Sequence, residues 1–263
     1  MGGNYQLHLH TLPQVPSALQ IEGEWPESVT LRRGWARGTA RPWNPLVNAG
    51  ALRLVRGNSS FLAEATAWVA GAAGGSVLSP ALYPSAARIW ERSGYSELLG
   101  LKVMEKAVAA PAPTPDWITT STEPDLAELE KVDRSAFDRF WHMGRAGLSE
   151  AFGATPKSML VEARTGGGLL GYAMLGNQAG VCFVQRIAVD PDHRNSGIGG
   201  LLMDRSEAWA AQVGAGAMIL NVRPDNEEAR RLYRRKGFRD TGTNLHVLSY
   251  QSDSLSGNAH RHP

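Results

Sequence analysis

The chain has 263 residues, of which 43% are apolar and 20% charged, and its 27 basic and 25 acidic residues leave a net charge of +2. That much apolar surface supports one large or two small cores and excludes a chain disordered throughout. The balanced charge, with no long basic block, argues against nucleic acid or membrane as a partner. The single cysteine, Cys182, cannot form an intramolecular disulfide, and no His/Cys cluster has zinc-ligand spacing, so no metal is expected. The first residues, MGGNYQLHLHTLPQVP, lack a charged n-region followed by an apolar h-region, and no run approaches about 18 apolar residues. A cytoplasmic protein is the expectation.

In chain order, residues 1–107 are followed by VAAPAPTPD, Val108 to Asp116, whose alternating prolines favour an extended spacer and forbid helix or central strand. This divides the chain into 1–107, a linker over 108–116, a unit over 117–250 and a polar tail over 251–263 without periodicity, expected to be disordered. After the linker, Trp117 to Ser121 reads as a short strand. Asp125 to Arg139 reads as a helix, with Leu126, Leu129, Val132, Ala136, Phe137 and Phe140 along one face, and Gly144 to Phe152 as a second. Ser158 to Arg164 and Leu169 to Leu175 form a hairpin around Thr165-Gly166-Gly167-Gly168. Val181 to Val189 is a third strand ending in Asp190-Pro191-Asp192. Ile198 to Gln212 is a helix, Met218 to Val222 a buried strand, Asn226 to Lys236 a helix closed by Gly237, and Val247 to Tyr250 a last strand. The fold class is mixed α/β.

The most informative stretch is VQRIAVDPDHRNSGIGGLL, where a strand and a short turn lead through Arg194, Asn195, Ser196, Gly197, Ile198, Gly199 and Gly200 into a helix. The first turn of a helix has unpaired N–H groups and the positive end of the helix dipole, which together suit a pyrophosphate. A Walker A loop would need Gly-Lys-Ser/Thr where Gly199-Gly200-Leu201 stands, and a dinucleotide fingerprint would need Gly or Ala at Leu202; both fail. A second motif follows in LNVRPDNEEARRLYRRKGF.

The pair resembles the two main motifs of the GCN5-related N-acetyltransferase (GNAT) superfamily: Arg194, Gly197 and Gly199 match the first, and Asn226, Ala229, Tyr233, Gly237 and Phe238 the second. The resemblance covers roughly 119–250. It implies a GNAT fold for this half, acetyl-CoA as cosubstrate, a pyrophosphate cradle at Arg194 to Gly200, and strand amides at Ile187 to Val189, Ala188 included, for pantetheine and the acetyl carbonyl. Asn226 and Ala229 would contact the cofactor, and Tyr233 would be the general acid. A tyrosine, with a reference pKa near 10, stays protonated at neutral pH and can donate to a leaving thiolate.

Relatives place a glutamate base where this chain has Gln185 and Asn221, so a base must come from elsewhere, through water from Glu150 or His142, or be unnecessary. An α-amino group of pKa about 7.8 is roughly 14% neutral at pH 7, whereas a lysine at about 10.4 is about 0.04% neutral. The acceptors favoured are therefore small amines, amino sugars and protein N-termini; a non-catalytic acyl-CoA sensor or assembly module is the alternative.

An internal echo joins the halves. With a shift of 143 positions, Ala86, Arg88, Trp90 and Gly94 fall on Ala229, Arg231, Tyr233 and Gly237, and a one-residue gap brings Leu101 and Val103 onto Leu245 and Val247. Trp90 replaces the acid, Tyr83 replaces Asn226, and no glycine loop precedes, so the first half reads as a degenerate GNAT-like unit without catalysis. This tandem layout is similar to mycothiol synthase, and the second motif is similar to the ribosomal-protein alanine N-acetyltransferase type. A monomer with pseudo-dimeric halves, or a homodimer, is expected. Arg230, Arg231, Arg234, Arg235 and Lys236 are expected near the phosphate loop.

Overall fold

A computed structural model describes residues 18–251; the expected tail lies almost wholly outside them. The first half contains β1 (Gln20–Glu22), β2 (Val29–Arg33), β3 (Ala36–Asn44), β4 (Val47–Arg56), α1 (Ser59–Ala73), β5 (Ser76–Leu78), α2 (Pro84–Glu91) and β6 (Ser96–Ala107). The second contains β7 (Ile118–Ser121), α3 (Leu126–Ala136), α4 (Arg145–Phe152), β8 (Lys157–Thr165), β9 (Gly168–Gln178), β10 (Val181–Val189), α5 (Ile198–Gln212), β11 (Ala217–Val222), α6 (Glu227–Arg235) and β12 (Arg239–Tyr250). The strands form one sheet of order β1-β2-β3-β4-β5-β12-β6-β11-β10-β9-β8-β7.

The two halves repeat one plan. In each, a pair of parallel strands is joined through a long helix, β4-α1-β5 and β10-α5-β11. A short amphipathic helix follows, α2 or α6, and each closes on a left-handed glycine, Gly94 (φ +90°) and Gly237 (φ +86°), a conformation that costs a residue with a Cβ about 1–2 kcal/mol. The next amide donates back into the helix in both, Tyr95 N–H to Trp90 O and Phe238 N–H to Tyr233 O. Trp90 packs edge-on against Tyr95 at 4.9 Å where Tyr233 packs against Phe238 at 6.0 Å.

The last strand of each half leaves its own sheet. β6, from the first half, lies between β11 and β12, while β12, from the second, lies between β6 and β5. The proline-containing segment after β6 thus follows a strand embedded among those of the second half. This exchange also explains the short sequence reading of the last strand: β12 runs from Arg239, but RDTGTNLH carries no apolar alternation because much of its order comes from pairing with β6. One further expectation is corrected. α3 ends at Ala136, with Phe137 extended (φ −120°, ψ 152°), and the Asp138 carboxylate accepts the Phe140 and Trp141 amides, turning Phe140 off the helix.

Apolar side chains divide by face. Leu31, Leu52, Phe61, Leu62 and Val69 form the first-half core under α1 and α2. Leu202, Trp209, Met218, Leu220 and Phe238 do the same under α5 and α6, with Cys182 packed among them. Burial pushes that thiol up to about 12, which makes it a packing residue rather than a nucleophile. On the opposite face, α3 and α4 cover β8 to β10 through Leu129, Val132, Leu148, Leu160, Tyr172 and Met174.

Candidate active site

The site opens where β10 and β11 part. Their parallel pairing runs from Val181↔Ala217 to Val184↔Leu220 and stops, and a register break between Val184 and Arg186 bends β10 at Gln185. Beyond it, Arg186 to Val189 keep β9 as their one partner strand, while Asn221 and Val222 pair with Val103 and Lys102 of β6. The backbone edge of β10 thereby faces a cleft instead of a strand. Ile187, Ala188, Val189, Asn226, Ala229 and Tyr233 line this cleft of about 750 Å³.

The glycine loop closes one end. Arg194, Asn195, Gly197, Ile198, Gly199 and Gly200 line it as well, while Ser196 turns its hydroxyl onto the His193 carbonyl at 2.5 Å. Gly197 (φ +87°) and Asn195 (φ +60°) occupy the left-handed region, and α5 starts with no side-chain cap. Gly200 and Leu201 donate their amides to the Gly197 carbonyl, whereas the first-turn amides before them point outward. An uncapped helix start at a cleft is a place where an anion meets N–H donors and the positive dipole end. Gly199 has a packing reason too, since a Cβ there would come within 3.1 Å of Leu232 Cδ2 on α6. Arg194 donates to the Ala136 carbonyl at 2.7 Å, tying the loop to the end of α3.

The basic helix α6 contributes less than its sequence promises. Arg231 and Arg235 reach the cleft; Arg230 and Arg234 pair with Glu227, and Lys236 with Asp204 at 2.6 Å. Asn226 is the N-cap of α6, its Oδ1 accepting the Ala229 amide at 3.1 Å. Tyr233 is 5% exposed and burial pushes its pKa up to about 12, so the phenol keeps its proton.

The far wall joins both halves. Arg41, Trp43, Ser79 and Pro80 of the first half line the cleft together with Asp138, Trp141 and His142 from the loop between α3 and α4. That loop is pinned from two sides. Asp133, on α3, accepts the Met143 amide, the Tyr172 hydroxyl at 2.7 Å and both prongs of the Arg186 guanidinium at 2.7 and 2.8 Å. From the first half, Asn44, 3% exposed, donates through Nδ2 to the carbonyls of Arg139, Phe140 and His142, all at 3.1 Å, while Trp43 Nε1 donates to the Phe140 carbonyl at 2.6 Å. Sequence reading missed Asn44, Asp133 and Arg186, because nothing local marks a side chain whose partners lie on a distant loop.

Of the two candidate bases, Glu150 is drawn into pairs with Arg41 at 2.6 Å and Arg53 at 3.8 Å. His142 is buried, with neither ring nitrogen hydrogen-bonded, and burial lowers its pKa against the opposing pull of Asp133 4.0 Å away. It is therefore a neutral imidazole at pH 7. At the equivalent places in the first half, Trp90 fills the Tyr233 position at 2% exposure and Tyr83, which caps α2 without a side-chain bond, is 55% exposed.

A splayed parallel pair, a glycine loop opening a helix at the splay, and a tyrosine on the next helix are the arrangement of a GNAT fold. Residues 121–238 match the acetyltransferase (GNAT) family model. The chain is 39% identical over 93 residues to N-alpha-acetyltransferase RimI of Mycobacterium tuberculosis, covering 34% of this chain and 57% of that one. It is 35% identical over 132 residues to an uncharacterized protein of Mycobacterium leprae, covering 49% and 36%. The chain thus spans 57% and 36% of the length of these curated relatives. Among solved structures, a tandem GNAT protein from the clavulanic acid biosynthesis pathway superposes with a TM-score of 0.56 at 13% identity, over 90% of this chain and 84% of that one. Residues 121–238 thus resemble the GNAT family in sequence, and the chain as a whole shares its fold with a tandem GNAT protein.

Proposed function

We propose that this protein is an acetyl-CoA-dependent N-acetyltransferase that acts on a primary amine in a ternary complex, with cofactor binding and proton donation supplied by the second half. The observation that carries this reading is the convergence, in one cleft, of the uncapped start of α5, the unpartnered edge of β10 and the protonated Tyr233. The residues fit the cofactor: outward amides and Arg231 and Arg235 meet its phosphates, and the β10 edge from Ile187 to Val189 meets a pantetheine arm by strand-like hydrogen bonding. The bound thioester supplies an activated acetyl group. The chain's own part is to hold that group beside the amine and to donate a proton from the Tyr233 hydroxyl to the departing sulfur; the amine's proton passes to water, since Gln185 and Asn221 are not bases and the His142 ring nitrogens are buried.

The acceptor lies between the loop 137–143 and the first-half wall of Arg41 and Trp43. The absence of a carboxylate at Gln185 and Asn221 favours amines that are already partly neutral, so amino termini and weakly basic small amines precede lysine side chains. Likeness to an N-alpha-acetyltransferase supports the same order. Release of CoA thiol across a panel of amines and N-terminally free peptides tests the proposal, and acetyl-CoA binding in calorimetry without turnover on any of them would replace it with the sensor reading.

A further inference from the structure

The first-half sheet has one face covered by α1 and α2, and the side-chain contacts show what lies on the other. Arg33, of one parity on β2, meets Glu64 and Ser60 of α1. Arg41 and Arg53 meet Glu150 of α4, so they lie on the face that carries α3 and α4 in the second half. Among the described residues no helix precedes β2, and α3 and α4 have no counterpart there.

Register places basic residues in rows across this face. Arg32 stands opposite Arg37, and Arg37 opposite Arg56; Thr30, Thr39 and Arg53 form the next row. Arg53 is 55% and Arg32 38% exposed at the side chain, Arg56 is exposed, and Trp35 at the adjoining turn is 65% exposed. Like charges directly opposite each other across strands destabilise a sheet. The carboxylates paired to this face are Glu22, on Arg32 at 2.9 Å, and Glu150, both at its margins. They show which chemistry the rows accept. The face begins at the cleft, because Arg41 lines it, and Arg37 lies four residues along β3, roughly 13 Å away at ~3.3 Å per residue.

We infer that the arginine rows on β2, β3 and β4 are a docking surface for an acidic polypeptide, the acceptor itself, whose free amino end enters the cleft while acidic residues more than four positions downstream lie over Arg37 and Arg56. This rests on the acetyltransfer reading for the part in the cleft. A polypeptide is favoured over nucleic acid because the adjoining site receives an amine, and because the rows already take carboxylates from this chain. Residues 1–17 contain no Asp or Glu and offer no complementary charge.

The test uses the full chain with Arg37→Glu/Arg56→Glu and Arg37→Gln/Arg56→Gln. Two readouts separate docking from transfer: turnover on N-terminally free peptides of equal length that are glutamate-rich, neutral or lysine-rich, and fluorescence anisotropy of an N-acetylated glutamate-rich peptide, which needs no reaction. The wild type is expected to favour the acidic peptide about tenfold in KM at low salt and to lose that preference at high salt. The Gln pair should abolish the preference and the Glu pair invert it, with melting temperatures no lower than wild type because like-charge rows have been broken. Equal KM across the peptides, an unchanged preference in both variants, or single-stranded RNA that binds about tenfold tighter than the acidic peptide and is not displaced by it would overturn the assignment. Docking that survives while no amine is acetylated would overturn the acetyltransfer reading instead, together with the acceptor role given to the docked peptide.

Discussion

Leu101 and Leu245, the residues that the internal repeat superposes, face each other as a register pair across β6 and β12. A local two-fold axis perpendicular to the sheet passes between them, and Val103 and Val247 complete the same small cluster around it. The two halves are thus related as the subunits of a dimer would be, and the glycine loop is found in one of them.

Tyr233→Phe tests the acid. Loss of the proton donor should lower kcat about a hundredfold while acetyl-CoA affinity measured by calorimetry stays unchanged, since the ring keeps its packing on Phe238. Undiminished turnover would remove Tyr233 from the mechanism.

Asn44→Ala tests the loop anchor. The side chain serves three carbonyls; Trp43 still donates to that of Phe140 in the variant, and leaving those of Arg139 and His142 without this donor should cost about 2 kcal/mol in urea denaturation. Because the loop carries Trp141 and His142 into the cleft, the acceptor KM should rise while acetyl-CoA binding holds. A rise in both constants together would place the anchor elsewhere.

Charge on α6 divides sharply. Arg231→Ala and Arg235→Ala should each weaken acetyl-CoA binding about fivefold, equivalent to ~1 kcal/mol, with less effect as salt increases. Arg230→Ala and Arg234→Ala should not, since those guanidiniums are engaged by Glu227.

The buried imidazole gives a pH dependence with a definite sign. The folded pKa of His142 lies below its unfolded value, so its neutral burial is fully tolerated above about pH 6.5 and stability falls as pH drops through that value towards the folded one. Thermal melts between neutral and mildly acid pH should show a shallower decline for His142→Gln than for wild type. Parallel curves would show that His142 does not titrate in this way.

The elements whose order comes from their own residues were readable: Val181–Val189 and Ile198–Gln212 stand where periodicity and the glycine loop put them. Ile187, Gly197 and Tyr233, which the family resemblance singled out, line one cleft. What could not be read depends on partners far along the chain. The first six residues of β12, Arg239 to Asn244, carry no apolar side chain and pair with β6; Asn44 and Asp133 look like ordinary turn and helix residues until the loop they bind is seen. The charge run on α6 misled in a different way, because acids at Glu227 and Asp204 claim three of its five cations.

The exchanged strands bear on how the chain comes to be folded at all. During synthesis, β1 to β6 emerge first, but the gap between β5 and β6 is filled by β12, the last strand made. β6 has neither of its sheet neighbours until β11 is made, and only that one until β12 follows, both more than a hundred residues after it. Closure therefore waits on contacts of the longest sequence separation, which form slowly. A ribosome that stalls before Arg239 would release a polypeptide with unpaired edges at β5 and β6, a substrate for chaperones and proteases rather than a folded half.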